Sequence, residues 1–336
     1  MVVWCRLLRP RYGLWLATAV LLGWVLYTVA PGETWTVLSR LGLQQVITLA
    51  IANGLILLSM SGRWWLILRT QGYAVPYLRL VGYRLAAFGI SYFTPGPQFG
   101  GEPLQVYLVK RHHSVPSSTA IAAVTLDKLV ELLVNFAFLA GGTIWILRRQ
   151  FLPGPTTPSV LVFALGLLAA PLVVLVLLGT GRLPFTALVQ AVERLNWERL
   201  DRVQEGWLST FRRAAQAIKG SEWQVAEMCQ QQPVMLGQTL LVSLLTWGLL
   251  VGEYWLMLYF LGVSLTFDQT IVALTAVRLA ILFPLPGGLG ALEASQVLAM
   301  TVLDLNPAVG LSLSLLIRVR DVLLGSLGLW WGGVKS

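Results

Sequence analysis

The sequence predicts an all-α polytopic membrane protein with an inverted-topology repeat: about six full crossings plus two broken, re-entrant helical hairpins. Three observations predict it. Of the 336 residues, 56% are hydrophobic and 12% charged, where soluble domains carry about 25% charged residues; the mean hydropathy is +0.73. Uncharged runs recur at 13–30, 46–62, 151–181, 234–252 and 254–267. Two further apolar stretches are broken by proline and glycine in matching order, FTPGPQFGGEP at 93–103 and FPLPGGLGALE at 283–293.

The elements follow in chain order. Residues 13–30 span about 27 Å as a helix, close to the roughly 30 Å hydrocarbon core. An uncleaved first helix is favoured over a cleaved leader, because the run is long and Pro31 follows it directly. Arg6, Arg9 and Arg11 place the N-terminus in the cytoplasm by the positive-inside rule. The second helix, 46–68, returns to a basic loop holding Arg69, Arg79 and Arg84. The first broken stretch, 85–109, is bounded by basic residues on both sides, so it reads as a hairpin opening to the cytoplasm. Crossings follow at 117–147 and 158–179. Residues 181–232 carry seven Lys or Arg and six Asp or Glu, with Leu195, Leu200, Val203, Trp207, Leu208 and Phe211 at helical spacing. This pattern predicts one or two amphipathic helices on the cytoplasmic surface. Residues 234–261 then cross outward, 270–303 form the second broken stretch, and 311–331 cross inward, leaving both termini cytoplasmic. Sixteen of the 24 basic residues fall on the cytoplasmic side and three (Arg40, Arg148, Arg149) outside.

The whole chain reads as one transmembrane domain, 1–336, with repeats at 40–147 and 234–332. Pro95-Gly96 and Pro286-Gly287 each precede a glutamate, Glu102 or Glu293, at the same interval. Gly62-Arg63-Trp64-Trp65-Leu66 parallels Gly252-Glu253-Tyr254-Trp255-Leu256. The tips comprise Pro95, Gly96, Gly100 and Gly101, and Pro286, Gly287, Gly288 and Gly290. Charge placement sends the Arg63 helix inward and the Glu253 helix outward, the inversion seen in alternating-access transporters.

Eleven ionisable residues lie in or beside the apolar segments: Arg63, Glu102, Asp127, Lys128, Glu131, Glu253, Arg278, Glu293, Arg318, Arg320 and Asp321. Left unpaired they would cost on the order of 30 kcal/mol, so they must pair or line a hydrated cavity. Spacing suggests that Asp127, Lys128 and Glu131 share a helix face and that Arg318 meets Asp321. As structural glue they would hold broken helices together; as a polar path they would carry a lipid headgroup. No nucleophile–base pair, phosphate loop or metal pattern is present, so neither cofactor nor metal is expected. His112 and His113 suit lipid phosphates better than a metal. Cys5 and Cys229 read as free thiols.

RWWLILRTQG at 63–72, FTPGPQFGGEPLQVYLVKR at 93–111, Leu126-Asp127-Lys128, and FPLPGGLGALEA at 283–294 followed by Arg318 resemble the lysylphosphatidylglycerol synthase transmembrane, or flippase-like, family over about residues 40–330. Where its first motif often reads Pro-Gly-Gly, this chain has Pro95-Gly96-Pro97, which removes an amide donor. The resemblance implies lipid handling, without a soluble synthase domain. It makes a flippase of a polar-headgroup lipid, aminoacylated or glycosylated, the leading expectation, in a cytoplasmic or inner membrane. Carboxylates would suit a cationic headgroup and arginines its phosphate. The rivals are a membrane-embedded transferase and a scaffold subunit for a separate lipid-modifying enzyme. Membrane lipids are the expected partners, nucleic acid is not, and a homo-oligomer is compatible with the sequence.

Overall fold

A computed structural model describes residues 41–93, 100–148, 157–194, 205–282 and 290–335. Among them all regular structure is helical, in eleven helices. They are α1 (Leu43–Thr70), α2 (Tyr77–Phe93), α3 (Glu102–His113), α4 (Ser117–Arg148), α5 (Thr157–Gly179), α6 (Pro184–Arg194), α7 (Glu205–Gln231), α8 (Pro233–Phe260), α9 (Phe267–Ile281), α10 (Ala291–Val302) and α11 (Pro307–Lys335). Helices α1, α4, α5 and α8 are long and apolar enough to cross a membrane. The protein is therefore a multi-pass membrane protein. The expected crossing at 13–30, Cys5, and tip residues Pro95, Gly96, Pro286, Gly287 and Gly288 lie outside the described residues.

The crossing expected at 234–261 is α8, which ends at Phe260, and the chain then turns through Gly262 at φ +85° before α9 begins. Glycine has no Cβ to oppose that left-handed conformation. Arg79 and Arg84 are not in a loop but on α2, and Arg84 is 7% exposed. A guanidinium buried that far on a spanning bundle needs anionic partners.

The helices recur at one interval. Leu43 and Pro233, Tyr77 and Phe267, and Ser117 and Pro307 open equivalent helices, each pair 190 residues apart. The turns repeat as well. Gly72 and Gly262 have φ of 87° and 85°, and Ser114 and Asp304 have 52° and 55°. After each glycine the next amide, of Tyr73 or Val263, donates to the carbonyl five residues back, Leu68 or Leu258, at 3.1 and 3.0 Å.

The repeat is inverted. Going up α1, partners in α8 come down: Asn53 bonds Glu253 at 2.7 Å, Ser59 bonds Thr246 at 2.7 Å, and Arg63 bonds Ser243 at 2.8 Å. Equivalent helices that run antiparallel make the second repeat upside down relative to the first. The Arg63–Ser243 and Glu253–Asn53 bonds are equivalent under the same interval, so a pseudo-two-fold axis passes between them.

Each repeat carries its own apolar core. One gathers Trp64, Ile67, Leu68, Leu80, Val109 and Leu126; the other gathers Tyr254, Met257, Leu258, Ala273, Met300 and Leu313. The repeats also interlock. Helix α2 packs along α11 of the other repeat, and α9 packs on α4. The α2–α11 crossing is glycine-lined: a Cβ on Gly328 would lie 2.6 Å from the Leu85 carbonyl carbon, and one on Gly82 would strike Trp331. Small residues allow such backbone approach in membranes. Gly328→Val is therefore expected to destabilise by about 3 kcal/mol, the upper part of the overpacking range. Gly54→Ala, facing open space, should leave the midpoint of detergent-induced unfolding unchanged or slightly raised.

Between the repeats lie α5 and the amphipathic pair α6 and α7. Buried Glu222 of α7 caps α6, accepting the Phe185 amide at 2.7 Å and the Thr186 amide at 2.6 Å. Cys229 on α7 is free and buried, and burial pushes its thiol up to about 11. A raised thiol pKa keeps it protonated at neutral pH. In a Cys5→Ser background, maleimide labelling at pH 7.5 is expected to run on the order of 100-fold slower than for an exposed thiol.

Candidate functional site

The charged residues fall into clusters set by the repeat. In the first, Arg63 on α1 donates through Nε to Asp127 Oδ1 at 2.5 Å and through Nη2 to Glu131 Oε2 at 3.1 Å. Arg63 is 2% and Asp127 3% exposed. Arg84 on α2 completes the square, donating to Asp127 Oδ2 at 3.0 Å and Glu131 Oε2 at 3.2 Å. The one-turn spacing of Asp127 and Glu131 on α4 puts both carboxylates toward the two guanidinium groups. Lys128 donates to Glu131 Oε1 at 2.9 Å and stands 3.4 Å from Glu102.

Glu102 opens α3, where the helix N-terminus favours an acid. Gly101 before it packs against α2 so closely that a Cβ would collide with the Ala87 backbone. That approach, which only glycine permits, brings Glu102 to the centre of the fold.

In the second repeat, Gly290 at φ +81° caps α10, and its amide donates to Glu293 Oε2 at 2.8 Å. Glu293 is 1% exposed and also receives Arg318 Nε and Nη2, the latter at 3.0 Å. Spacing had pointed Arg318 to Asp321; instead Arg320 takes Asp321, at 2.8 and 2.9 Å, and reaches Glu253 at 2.7 Å. Arg318 crosses to α10 because the Glu293 carboxylate there is buried and would otherwise lie uncompensated. Lys128 and Arg318 are equivalent positions, and each meets the glutamate in the first turn of the short helix of its own repeat, Glu102 on α3 and Glu293 on α10.

These clusters surround a cavity of about 250 Å³ between the repeats. The first repeat lines it with Arg84, Glu102, Lys128 and Glu131, and the second with Glu253, Arg278, Arg320 and Asp321. Gly101, Gln105, Ser91 and Tyr92 add smaller groups, and Ile56, Leu57, Phe88 and Leu324 an apolar wall. Arg63 and Asp127 lie behind this lining. Glu293 and Arg318 do not line it either, so Glu102 and Glu293 are not alike in this conformation. Gly100 precedes Gly101 at the first tip and does not line the cavity.

A match to the lysylphosphatidylglycerol synthase TM region covers residues 12–328. The chain belongs to this family. Among its relatives, a UPF0104 membrane protein of Pyrococcus horikoshii is 22% identical over 272 residues, 76% of each chain. A UPF0104 membrane protein of Methanothermobacter thermautotrophicus is 23% identical over 310 residues, 89% of this chain and 88% of the relative. No solved structure matches.

For this lysylphosphatidylglycerol synthase transmembrane-region protein, sequence reasoning missed Arg84, Asn53, Ser243 and Trp247. One signal for Arg84 was available. The eleven expected charges comprised six acids and five bases, and Arg84 is the sixth base. Asn53, Ser243 and Trp247 sit in apolar runs where nothing local distinguishes them. At the end of α3, His113 faces the Tyr83 hydroxyl at 3.2 Å. Burial, then the nearby Arg79 and His112, hold its imidazole below the usual range.

Proposed function

We propose that the protein moves a lipid with a polar headgroup between the leaflets of its membrane. The observation that carries this reading is the cavity at the interface of two inverted repeats, lined by charged residues of both together with apolar ones. A structural scaffold needs ion pairs but not a void among them, whereas a headgroup crossing hydrocarbon needs both. The cavity takes the headgroup, and the acyl chains stay in the bilayer.

The unequal tips support an alternating scheme. Glu102 and Lys128 stand 3.4 Å apart on an open cavity, while Glu293 is held by two guanidinium nitrogens and its own helix cap. In the opposite state the pseudo-two-fold would exchange these roles. Glu102 would clamp Lys128, and Glu293 would release Arg318.

The test is leaflet translocation of labelled lipids by the purified full chain in proteoliposomes. Protein-dependent translocation of at least one polar-headgroup lipid is expected. Rates equal to protein-free vesicles across anionic, zwitterionic, aminoacylated and glycosylated lipids would overturn the reading.

A further inference from the structure

Every acid at the cavity is already engaged by a base other than Arg278. Glu102 has Lys128; Glu131 has Arg63, Arg84 and Lys128; Glu253 and Asp321 share Arg320. Arg278 lines the same cavity with no carboxylate in salt-bridge contact and no hydrogen-bond partner for its buried Nε, among the described residues. What holds it is Trp247 of α8, whose ring lies 4.5 Å from the guanidinium carbon. Stacking on Phe138, with ring centroids 4.6 Å apart, fixes Trp247 in turn. A guanidinium whose carbon sits over an indole face is held by the ring rather than by a carboxylate, which leaves its N–H groups for an oxyanion that can take two of them at once.

We propose that Arg278, held over the Trp247 ring, is the phosphate-binding subsite of the cavity, and that the protein's ligand therefore bears a phosphate. This assignment rests on the headgroup-transport reading and narrows its substrate class to phosphate-bearing lipids. Burying a guanidinium without a counter-ion is costly, and a bound phosphate removes that cost. Arg278 alone at this site gains its first anionic partner on ligand binding; any other base lining the cavity would have to break a pair. At about 250 Å³ the cavity is smaller than the roughly 300–1,000 Å³ that encloses a drug-sized molecule, so it accepts a headgroup and leaves two acyl chains outside. The same chemistry would accept free phosphate, and the experiment separates the two sources.

The purified full chain is titrated by calorimetry with dihexanoylphosphatidylglycerol, with dihexanoylglycerol, which lacks the phosphate, and with inorganic phosphate. The wild type is expected to bind the phospholipid, and Arg278→Gln to bind it roughly tenfold or more weakly. Inorganic phosphate binding as tightly as the phospholipid assigns the subsite to free phosphate and overturns the lipid class. Equal phospholipid affinity in a monodisperse Arg278→Gln overturns the subsite itself. A second measurement needs no variant: phenylglyoxal modification of Arg278, followed by mass spectrometry. The phospholipid is expected to slow it and dihexanoylglycerol not to; equal rates with both overturn the subsite. Translocation in proteoliposomes is read separately. Loss of phosphate binding with translocation intact removes this inference and leaves transport standing. Phosphate binding without translocation removes transport and leaves the subsite.

Discussion

Arg63→Gln is expected to lose about 3–5 kcal/mol of stability, the range for removing one partner of a buried ion pair. Arg63 touches Asp127, Glu131 and Ser243 at once, so its loss strips a donor from α4 and unties α1 from α8. Arg84 remains, but one guanidinium then faces two carboxylates. The double variant Arg63→Gln/Asp127→Asn should recover most of the loss, because it removes the stranded charge along with its partner. Denaturation by SDS in mixed micelles, followed by circular dichroism, measures both. Equal midpoints for the single and double variants would show that the penalty is lost packing of the long arginine stem rather than unbalanced charge.

Glu102→Gln and Glu293→Gln should part company. Glu102 lines the cavity and has one cation at 3.4 Å, so its neutral form should fold and should lose most translocation, at least roughly tenfold in rate. Glu293 is fully buried, caps α10 and binds Arg318, so neutralising it strands a guanidinium and should cost about 3 kcal/mol or more. Its transport defect should then follow the folded fraction. The comparison is made by translocation rate per folded protein, beside unfolding midpoints. A Glu102→Gln variant that transports normally would remove that carboxylate from the headgroup path. A Glu293→Gln variant as stable as wild type but inactive would give Glu293 a direct part in transport.

Much of this fold was legible because bilayer insertion leaves large marks in sequence. Uncharged runs locate α1, α5 and α8, since lipid forbids unpaired backbone. The likeness of Gly62-Arg63 to Gly252-Glu253 pointed to the repeat, because these pairs occupy equivalent positions inside α1 and α8 at the same 190-residue interval. Partner choice was a different matter. Asp127, Lys128 and Glu131 were legible as one face because they are local to α4. Arg318 was not, because its partner Glu293 lies on another helix and proximity in sequence favoured Asp321. Arg84 was hidden by its neighbours: beside Arg69 and Arg79 it looked like one more loop charge, and only the packing of α2 against α1 and α11 encloses it. Trp247, likewise, is one of 14 tryptophans, and its stacking on Arg278 comes from the α8–α9 contact.

The balance of six acids against six bases reaches beyond stability. Moving one elementary charge through a membrane potential of 100 mV takes about 2.3 kcal/mol. Because this set sums to zero, rocking it as a body through the field does little net electrical work. Under the proposed transport reading, membrane voltage then has little grip on the unloaded protein, and the charge of the lipid becomes the main handle. With a potassium diffusion potential across proteoliposomes, zwitterionic lipids should cross at voltage-independent rates, while anionic lipids should be driven toward the positive side.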